Sequence, residues 1–310
     1  MSSLPYIIRN YRPDDLDNYI RLHRKSIKLC PTGWQVSPLA LRENLRRPNY
    51  SPEQDLFVAE ITGEIVGSIN VIPELGIRRV ILECLVHPEY YGRGLVEKLF
   101  SYAMRRAREL KVQVAQVCIS QDNMAAKSLL SKLGFRLVRH FLELRLEISG
   151  IHLPSINDPA LSFPHLQSGE EGKLAQLQNR CFEGGWGYNL NTLEEILYHI
   201  NAANGSLEDI ILAAKGGKYI GYCWTRLNLE QDIATGGSKG CIYMIGVDPN
   251  YRGQGIGRKL LLAGLSHFKN KGIKVVELTV DSENKTACNL YRSIGFTTWT
   301  TSLWYEKSLD

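Results

Sequence analysis

The sequence predicts an α/β protein made of two successive copies of one mixed domain, and three observations carry that expectation. Residues 86 to 135 slide by 161 positions onto 247 to 296 without a gap. The shift matches Val86 with Val247, Pro88 with Pro249, Gly92 with Gly253, Gly94 with Gly255, Asn123 with Asn284 and Phe135 with Phe296. Each copy also carries a short apolar strand that runs into a glycine-rich bend and then a leucine-rich helix, VHPEYYGRGLVEKL in the first and VDPNYRGQGIGRKL in the second. Around both bends the apolar residues switch from the period of a strand to that of a helix.

Copy one opens with an edge strand at PYIIRNY, followed by a helix over RPDDLDNYIRLHRKSI. In copy two, EEGKLAQLQNRCF and NTLEEILYHI are the matching early helices. DLFVAEITGEIVGSINVI and IILAAKGGKYIGYCWTRL read as hairpins, two strand-like runs around a turn that contains glycine. The later half of each copy follows as strand, glycine turn, helix, strand, helix, strand. In copy two, Leu261, Leu265 and Phe268 share a helical face, Val276, Leu278 and Val280 alternate as a strand, and Ala287, Leu290, Tyr291 and Ile294 form the stripe of the next helix. The proline-bearing stretch SGIHLPSINDPALSFPH separates the copies. The expected division is residues 1–148, a linker at 149–165, and 166–310.

At 310 residues and 44% hydrophobic content the chain can bury two cores. It has no run of 18 apolar residues, and MSSLPYIIRN lacks the basic-then-apolar pattern of a secretory signal, so a cytoplasmic protein with no membrane partner is expected. The seven cysteines form no close CxxC pair, and their odd number suits reduced thiols in packing roles. The seven histidines show no ligand spacing, which argues against a metal. A formal charge of +5 permits an anionic cofactor, and the basic run at 105–111 reads as a solvated helix face, so no nucleic-acid partner is expected.

The bend Arg252-Gly253-Gln254-Gly255-Ile256-Gly257 sits where a strand meets a helix. There the first-turn amides lack acceptors, glycine allows close approach, and the helix dipole favours phosphate oxygens. Arg252 and Arg258 could add charge-assisted contacts. No GK[ST] ending follows, so it is not a P-loop, and the glycines do not have dinucleotide spacing. The pattern resembles the GCN5-related N-acetyltransferase (GNAT) superfamily, whose [RQ]-x-x-G-x-[GA] motif is met by Arg252, Gly255 and Gly257. Asn284 in DSENKTA and Tyr291 in NLYRSIGF match its cofactor-side asparagine and general-acid tyrosine. The likeness covers residues 86–146 and 207–307.

The resemblance implies two tandem GNAT-like domains, each a mixed, mostly antiparallel sheet with a splayed parallel strand pair and flanking helices. It implies acetyl-coenzyme A as cofactor, its pyrophosphate at the amides of Arg252, Gly253, Gln254, Gly255, Ile256, Gly257 and Arg258, and its arm beside Ile245 and Val247. An amine would attack the carbonyl while Tyr291, protonated at neutral pH, donates to the departing thiolate. Glu277, Asp281 and Tyr243 are the neighbours from which a base could come, and the sequence does not choose among them. Copy one has Tyr91, Val96 and Leu130 where copy two has Arg252, Gly257 and Tyr291, and is expected to be catalytically silent despite Glu83 on its strand.

The two-copy plan with an intact second copy resembles tandem members that acylate the cysteinyl amine of a sugar-linked thiol precursor. A small-molecule amine is therefore the expected acceptor, with a peptide or protein amine as the alternative. Trp186 and Tyr188 in NRCFEGGWGYNLN either line the acceptor pocket or anchor its loop. A non-catalytic coenzyme A-binding regulator is the competing class, and the oligomeric state is left open.

Overall fold

The computed structural model describes residues 6–27, 37–156, 158–202, 205–228 and 239–309; Cys30 lies outside them. In chain order the elements of the first copy are β1 (Ile7–Asn10), α1 (Leu16–Ile27), α2 (Pro38–Asn44), α3 (Pro52–Asp55), β2 (Leu56–Ile61), β3 (Glu64–Glu74), β4 (Arg79–Val86), α4 (Leu95–Glu109), β5 (Val114–Ser120), α5 (Met124–Lys132) and β6 (Arg136–Glu147). Those of the second are α6 (Glu171–Phe182), α7 (Leu193–Asn201), β7 (Ile210–Lys215), β8 (Lys218–Asn228), β9 (Lys239–Val247), α8 (Ile256–Asn270), β10 (Val275–Asp281), α9 (Lys285–Ile294) and β11 (Thr297–Ser308). The predicted hairpins, one in each copy, are present, and the strand–turn–helix–strand–helix–strand series recurs in both.

The chain forms two compact units, one of Met1–Arg139 with Ser302–Asp310, the other of His140–Thr301. In the first, the strands run β1-β2-β3-β4-β5-β11; in the second, β6-β10-β9-β8-β7. Each sheet is antiparallel except for one parallel pair, β4 with β5 and β9 with β10. The units depart from the division at 148 and 166 because the final strands are exchanged. Copy one's β6 pairs with β10, Glu147 opposite Val275, and copy two's β11 pairs with β5, Ser308 opposite Val114. The proline-bearing stretch is not a free linker either. Ser162 and His165 bridge to Ala214 and Ile211, and Leu153, Leu161 and Phe163 pack on the core of the second unit.

Helices cover both faces of the second unit's sheet. Leu260, Leu261, Leu265 and Phe268 of α8 and Tyr291 of α9 pack with Val276, Leu278 and Val280 on one face. On the other, Leu174 and Leu177 of α6 and Ile196 and Ile200 of α7 pack on Tyr222 and Trp224. The α7 helix starts with a capping box, in which the Thr192 side chain accepts from Glu195 N and Glu195 bonds back to Thr192 N at 2.7 Å.

Two local features open the sheet at β9. The parallel pairing with β10 has three rungs, Val275 with Lys239, Val276 with Gly240 and Glu277 with Cys241, and then stops, although both strands continue. On the other side of β9, Trp224 opposes Met244 while Thr225 opposes Ile242, which leaves Tyr243 as an extra, unopposed residue. Such a bulge bends and twists its strand. Copy one has no counterpart: β3 and β4 stay in register from Gly67 and Val86 to Glu74 and Arg79.

Candidate functional site

The bend after β9 is held in shape by side chains and leaves its main-chain donors free. Asp248, 1% exposed, accepts from Asn250 N at 3.1 Å and from Arg180 Nε at 3.0 Å. The chain then turns through Pro249–Tyr251, and Gly253 and Gly255 take φ of +76° and +75°, a left-handed region that costs an L-residue about 1–2 kcal/mol. A Cβ at either glycine would meet nothing within 4 Å, so conformation rather than packing explains them. Ile256 is buried and pins the start of α8. Among the described residues, the N–H groups of Gly253, Gln254, Gly255, Ile256, Gly257 and Arg258 have no acceptor; the first main-chain bond of the helix runs from Lys259 N to Gly255 O at 3.3 Å. Six unpaired donors leading into a helix N-terminus suit a diphosphate.

The adjoining strand supplies a second set of main-chain groups, in which Val247 O is taken by Arg252 and Val247 N–H has no acceptor among the described residues. Asp248 N donates to Ile220 O of the β8 side at 2.9 Å, so by alternation Gly246 also faces β8 while Ile245 and Val247 face away from it. They face the side on which β10 has already diverged. From Cys241 to Val247 this edge extends about 20 Å, at about 3.3 Å per residue. An extended arm that carries amides and ends in a diphosphate fits the combination of open edge and free helix terminus, which is the fit acetyl-coenzyme A requires.

Arg252 turns inward. Its Nε donates to Val247 O at 3.1 Å and its Nη2 to Cys181 O at 2.6 Å, so it ties the bend to β9 and satisfies a carbonyl in the last turn of α6. Arg258 stays outside, bonded to Ser293 Oγ at 2.8 Å. A Cβ at Gly257 would lie 3.6 Å from Leu290, an ordinary contact, so protein packing alone does not require glycine there. Asn284 caps α9 through Oδ1, which accepts from Ala287 N at 3.1 Å, and Asn123 caps α5 in the same way.

Tyr291 is 6% exposed, with its ring edge-on to Phe296 at 5.9 Å. Burial raises its pKa well above the ordinary phenol value, and Cys223 and Cys288 add to the effect. The phenol therefore keeps its proton at neutral pH. Cys223, the β8 partner of Ile245, shares the second unit's core with Tyr291.

The three possible bases differ in setting. Glu277, 7% exposed, is paired with Arg145 and, at 3.5 Å, with Lys239. Asp281 Oδ1 accepts from Glu283 N at 2.9 Å. Tyr243, the bulged residue, has the Arg226 guanidinium 3.4 Å above its ring and Trp224 edge-on at 5.3 Å. Tyr188 anchors its loop: its hydroxyl donates to Asn179 Oδ1 at 3.0 Å and accepts from Asn191 Nδ2 at 2.9 Å. Trp186 instead reaches Phe141 of β6, ring centres 5.8 Å apart. The bulge and Arg226 were not singled out from the sequence, because a one-residue insertion inside an apolar strand leaves no compositional mark.

The first unit keeps the bend, with Gly92 and Gly94 at φ +72° and +76°, and its parallel strands also part, after Ile81 and Gln116. Leu130, at the position of Tyr291, is buried at 2% exposure. Gln116 is tied to Arg79 Nη1 at 2.9 Å and to Glu306 at 2.7 Å. Glu83 is exposed and accepts from Asn70 Nδ2 at 3.4 Å.

Residues 21–135 and 172–296 match the Acetyltransferase (GNAT) family. The chain is 31% identical over 233 residues to a mycothiol acetyltransferase of Thermobispora bispora, covering 73% of this chain and 75% of that one. To the mycothiol acetyltransferase of Amycolatopsis mediterranei it is 28% identical, over 87% of this chain and 92% of the relative. Among solved structures it is similar to a GCN5-related N-acetyltransferase from Sphaerobacter thermophilus, with a TM-score of 0.76 at 21% identity over 99% and 97% of the two chains. A tandem GNAT protein from the clavulanic acid biosynthesis pathway gives a TM-score of 0.75 at 15% identity, over 99% and 98%.

Proposed function

Because the chain belongs to the acetyltransferase (GNAT) family and is an acyl-coenzyme A-dependent N-acyltransferase, we propose that it acetylates a primary amine of a small molecule, in its second unit, with Tyr291 as general acid. The observation that carries this reading is the unpaired edge of β9 past Cys241, leading directly to six unpaired amides at the start of α8.

Acetyl-coenzyme A supplies an activated carbonyl and a thiolate leaving group. The amides of residues 253–258 hold its diphosphate, and the main-chain groups of Ile245 and the N–H of Val247 hold its arm. Arg252 keeps the bend closed onto β9, so that these donors are fixed before binding. The acceptor's amine attacks the carbonyl carbon and forms the C–N bond; a β9 amide stabilises the oxyanion. As the C–S bond breaks, Tyr291 gives its proton to the sulfur. The proton lost from nitrogen leaves through water and restores the phenol. The first unit has no hydroxyl at position 130 to play this part, and its role is structural.

The relatives named for mycothiol put cysteinyl aminosugars first among the acceptors to test, before simple alkylamines and short peptides. Free-thiol release across that panel ranks them: turnover of a small amine that is lost in Tyr291→Phe supports the reading, and preference for peptides favours a protein or peptide acceptor instead.

A further inference from the structure

The second unit's sheet carries a row of polar side chains on the face away from α8 and α9. Val276, Leu278 and Val280 point into the core on that side, so Glu277 and Thr279 point to the other. Register places Arg226 opposite Cys241, Cys241 opposite Glu277, and Glu277 opposite Arg145, one row across β8, β9, β10 and β6. Tyr243 lies under Arg226, and Arg145 stacks on Trp299 at 4.4 Å. The next row pairs Thr279 with Glu143 at 2.6 Å. Thr279 and Trp299 are exposed, so solvent reaches this face beside the row.

Glu277 is the centre of the row and only one of its oxygens is used. Arg145 Nε, at 2.8 Å, and Lys239 Nζ, at 3.5 Å, both contact Oε1. Oε2 has no partner among the described residues, although the side chain is 9% exposed, and it is not one of the fully enclosed unpaired atoms. A carboxylate oxygen that is largely buried, without a protein partner and still reachable is an acceptor that water fills and a ligand N–H can take over. Its position is at the last parallel rung, where the gap between β9 and β10 closes. An arm running from the glycine bend past Val247 and then Ile245 brings its reactive end toward that rung.

We propose that Glu277 Oε2 is the acceptor-binding group of the reaction, accepting a hydrogen bond from the acceptor's amine N–H and so directing the nitrogen lone pair at the carbonyl. The inference rests on the reading of the second unit as the transfer site. An isolated carboxylate would favour the ammonium form, which cannot attack. The two cations on Oε1 offset that charge while Oε2 keeps its accepting geometry. Bond making and breaking are as above, with the nitrogen's proton passing to water.

The test is steady-state kinetics on Glu277→Gln, using as probe whichever of the cysteinyl aminosugars, alkylamines and short peptides the wild-type chain acetylates fastest. We expect acceptor KM to rise about ten- to a hundredfold, the loss of one charged hydrogen bond, with acetyl-coenzyme A KM within about twofold. Glu277→Asp, which keeps the negative charge beside Arg145 and Lys239 but withdraws the carboxylate, is the second variant, and the same split in KM is expected if the Gln variant does not fold. Acceptor KM unchanged in a folded variant, or both KM values rising together, overturns this inference while leaving the transfer reading in place. Absence of turnover by the wild-type chain on every amine overturns both.

Discussion

Tyr291 and the glycines of the bend do different work at the scale of single residues, and their substitutions should separate accordingly. Tyr291→Phe keeps the edge-on packing against Phe296 but removes the proposed proton donor to the thiolate. Its kcat should fall by about a hundredfold or more, with acetyl-coenzyme A KM and melting temperature little changed. Gly255→Ala keeps the chemistry but forces an L-residue to φ +75°; calorimetry should show about 1–2 kcal/mol of lost stability and weaker coenzyme A binding. Both positions stand out in the sequence as candidates because the motif that marks them is local: a few residues around a strand–helix junction, and a helix stripe. The half-used carboxylate of Glu277 was not. Its clamp comes from Arg145, 132 positions away, and from Lys239 on the neighbouring strand.

At the scale of elements, β9 must lie close to α6 on one side and stay open on the other. A Cβ at Gly246 would sit 2.9 Å from Cys181 Cβ and 3.1 Å from both Phe182 and Tyr222. Gly246→Ala should therefore push the strand from the helix, costing about 1–3 kcal/mol in denaturant unfolding and lowering kcat through the displaced edge. A second element contact predicts a pH dependence. Asp209, at the entrance to β7, accepts from His267 Nε2 at 3.0 Å and Lys271 Nζ at 2.8 Å, both at the end of α8. Burial opposes its ionisation, but the hydrogen bonds from His267 and Lys271 outweigh it and hold the carboxyl below its ordinary pKa. A depressed carboxyl stabilises the fold fully above the ordinary value of about 4, and that contribution is lost as pH falls through the folded value. Asp209→Asn should be less stable at pH 7 by about 2 kcal/mol or more and show a flatter acid limb in denaturant midpoints measured against pH. The hairpins and the βαβ series were readable from hydrophobic period. The Tyr243 bulge was not, since an inserted residue shifts register without changing the strand's apolar character.

For the whole molecule, the repeat announces two copies but hides the exchange of their last strands. β6 and β11 take equivalent places, with Leu142 and Leu144 matching Leu303 and Tyr305, and Glu147 opposite Val275 becomes Ser308 opposite Val114 under the same shift of 161. Either strand would satisfy either sheet by pattern, so only the structure distinguishes them. Truncation after Thr301 should then damage the first unit rather than the copy from which the residues come. It removes the partner of β5 and takes Leu303 and Tyr305 out of the first core, about 2 kcal/mol for each side chain. Hydrogen exchange should accelerate across 114–120. The same exchange places copy one's Arg145 beside Glu277 in the second unit. The central claim, that main-chain donors of the second glycine bend and the open edge of β9 hold the acyl donor, is met most directly by a crystal structure with acetyl-coenzyme A. The diphosphate should lie on the amides of residues 253–258, the arm along Ile245 and Val247, and the sulfur beside the Tyr291 hydroxyl; phosphates bound elsewhere, or a sulfur remote from Tyr291, would contradict it.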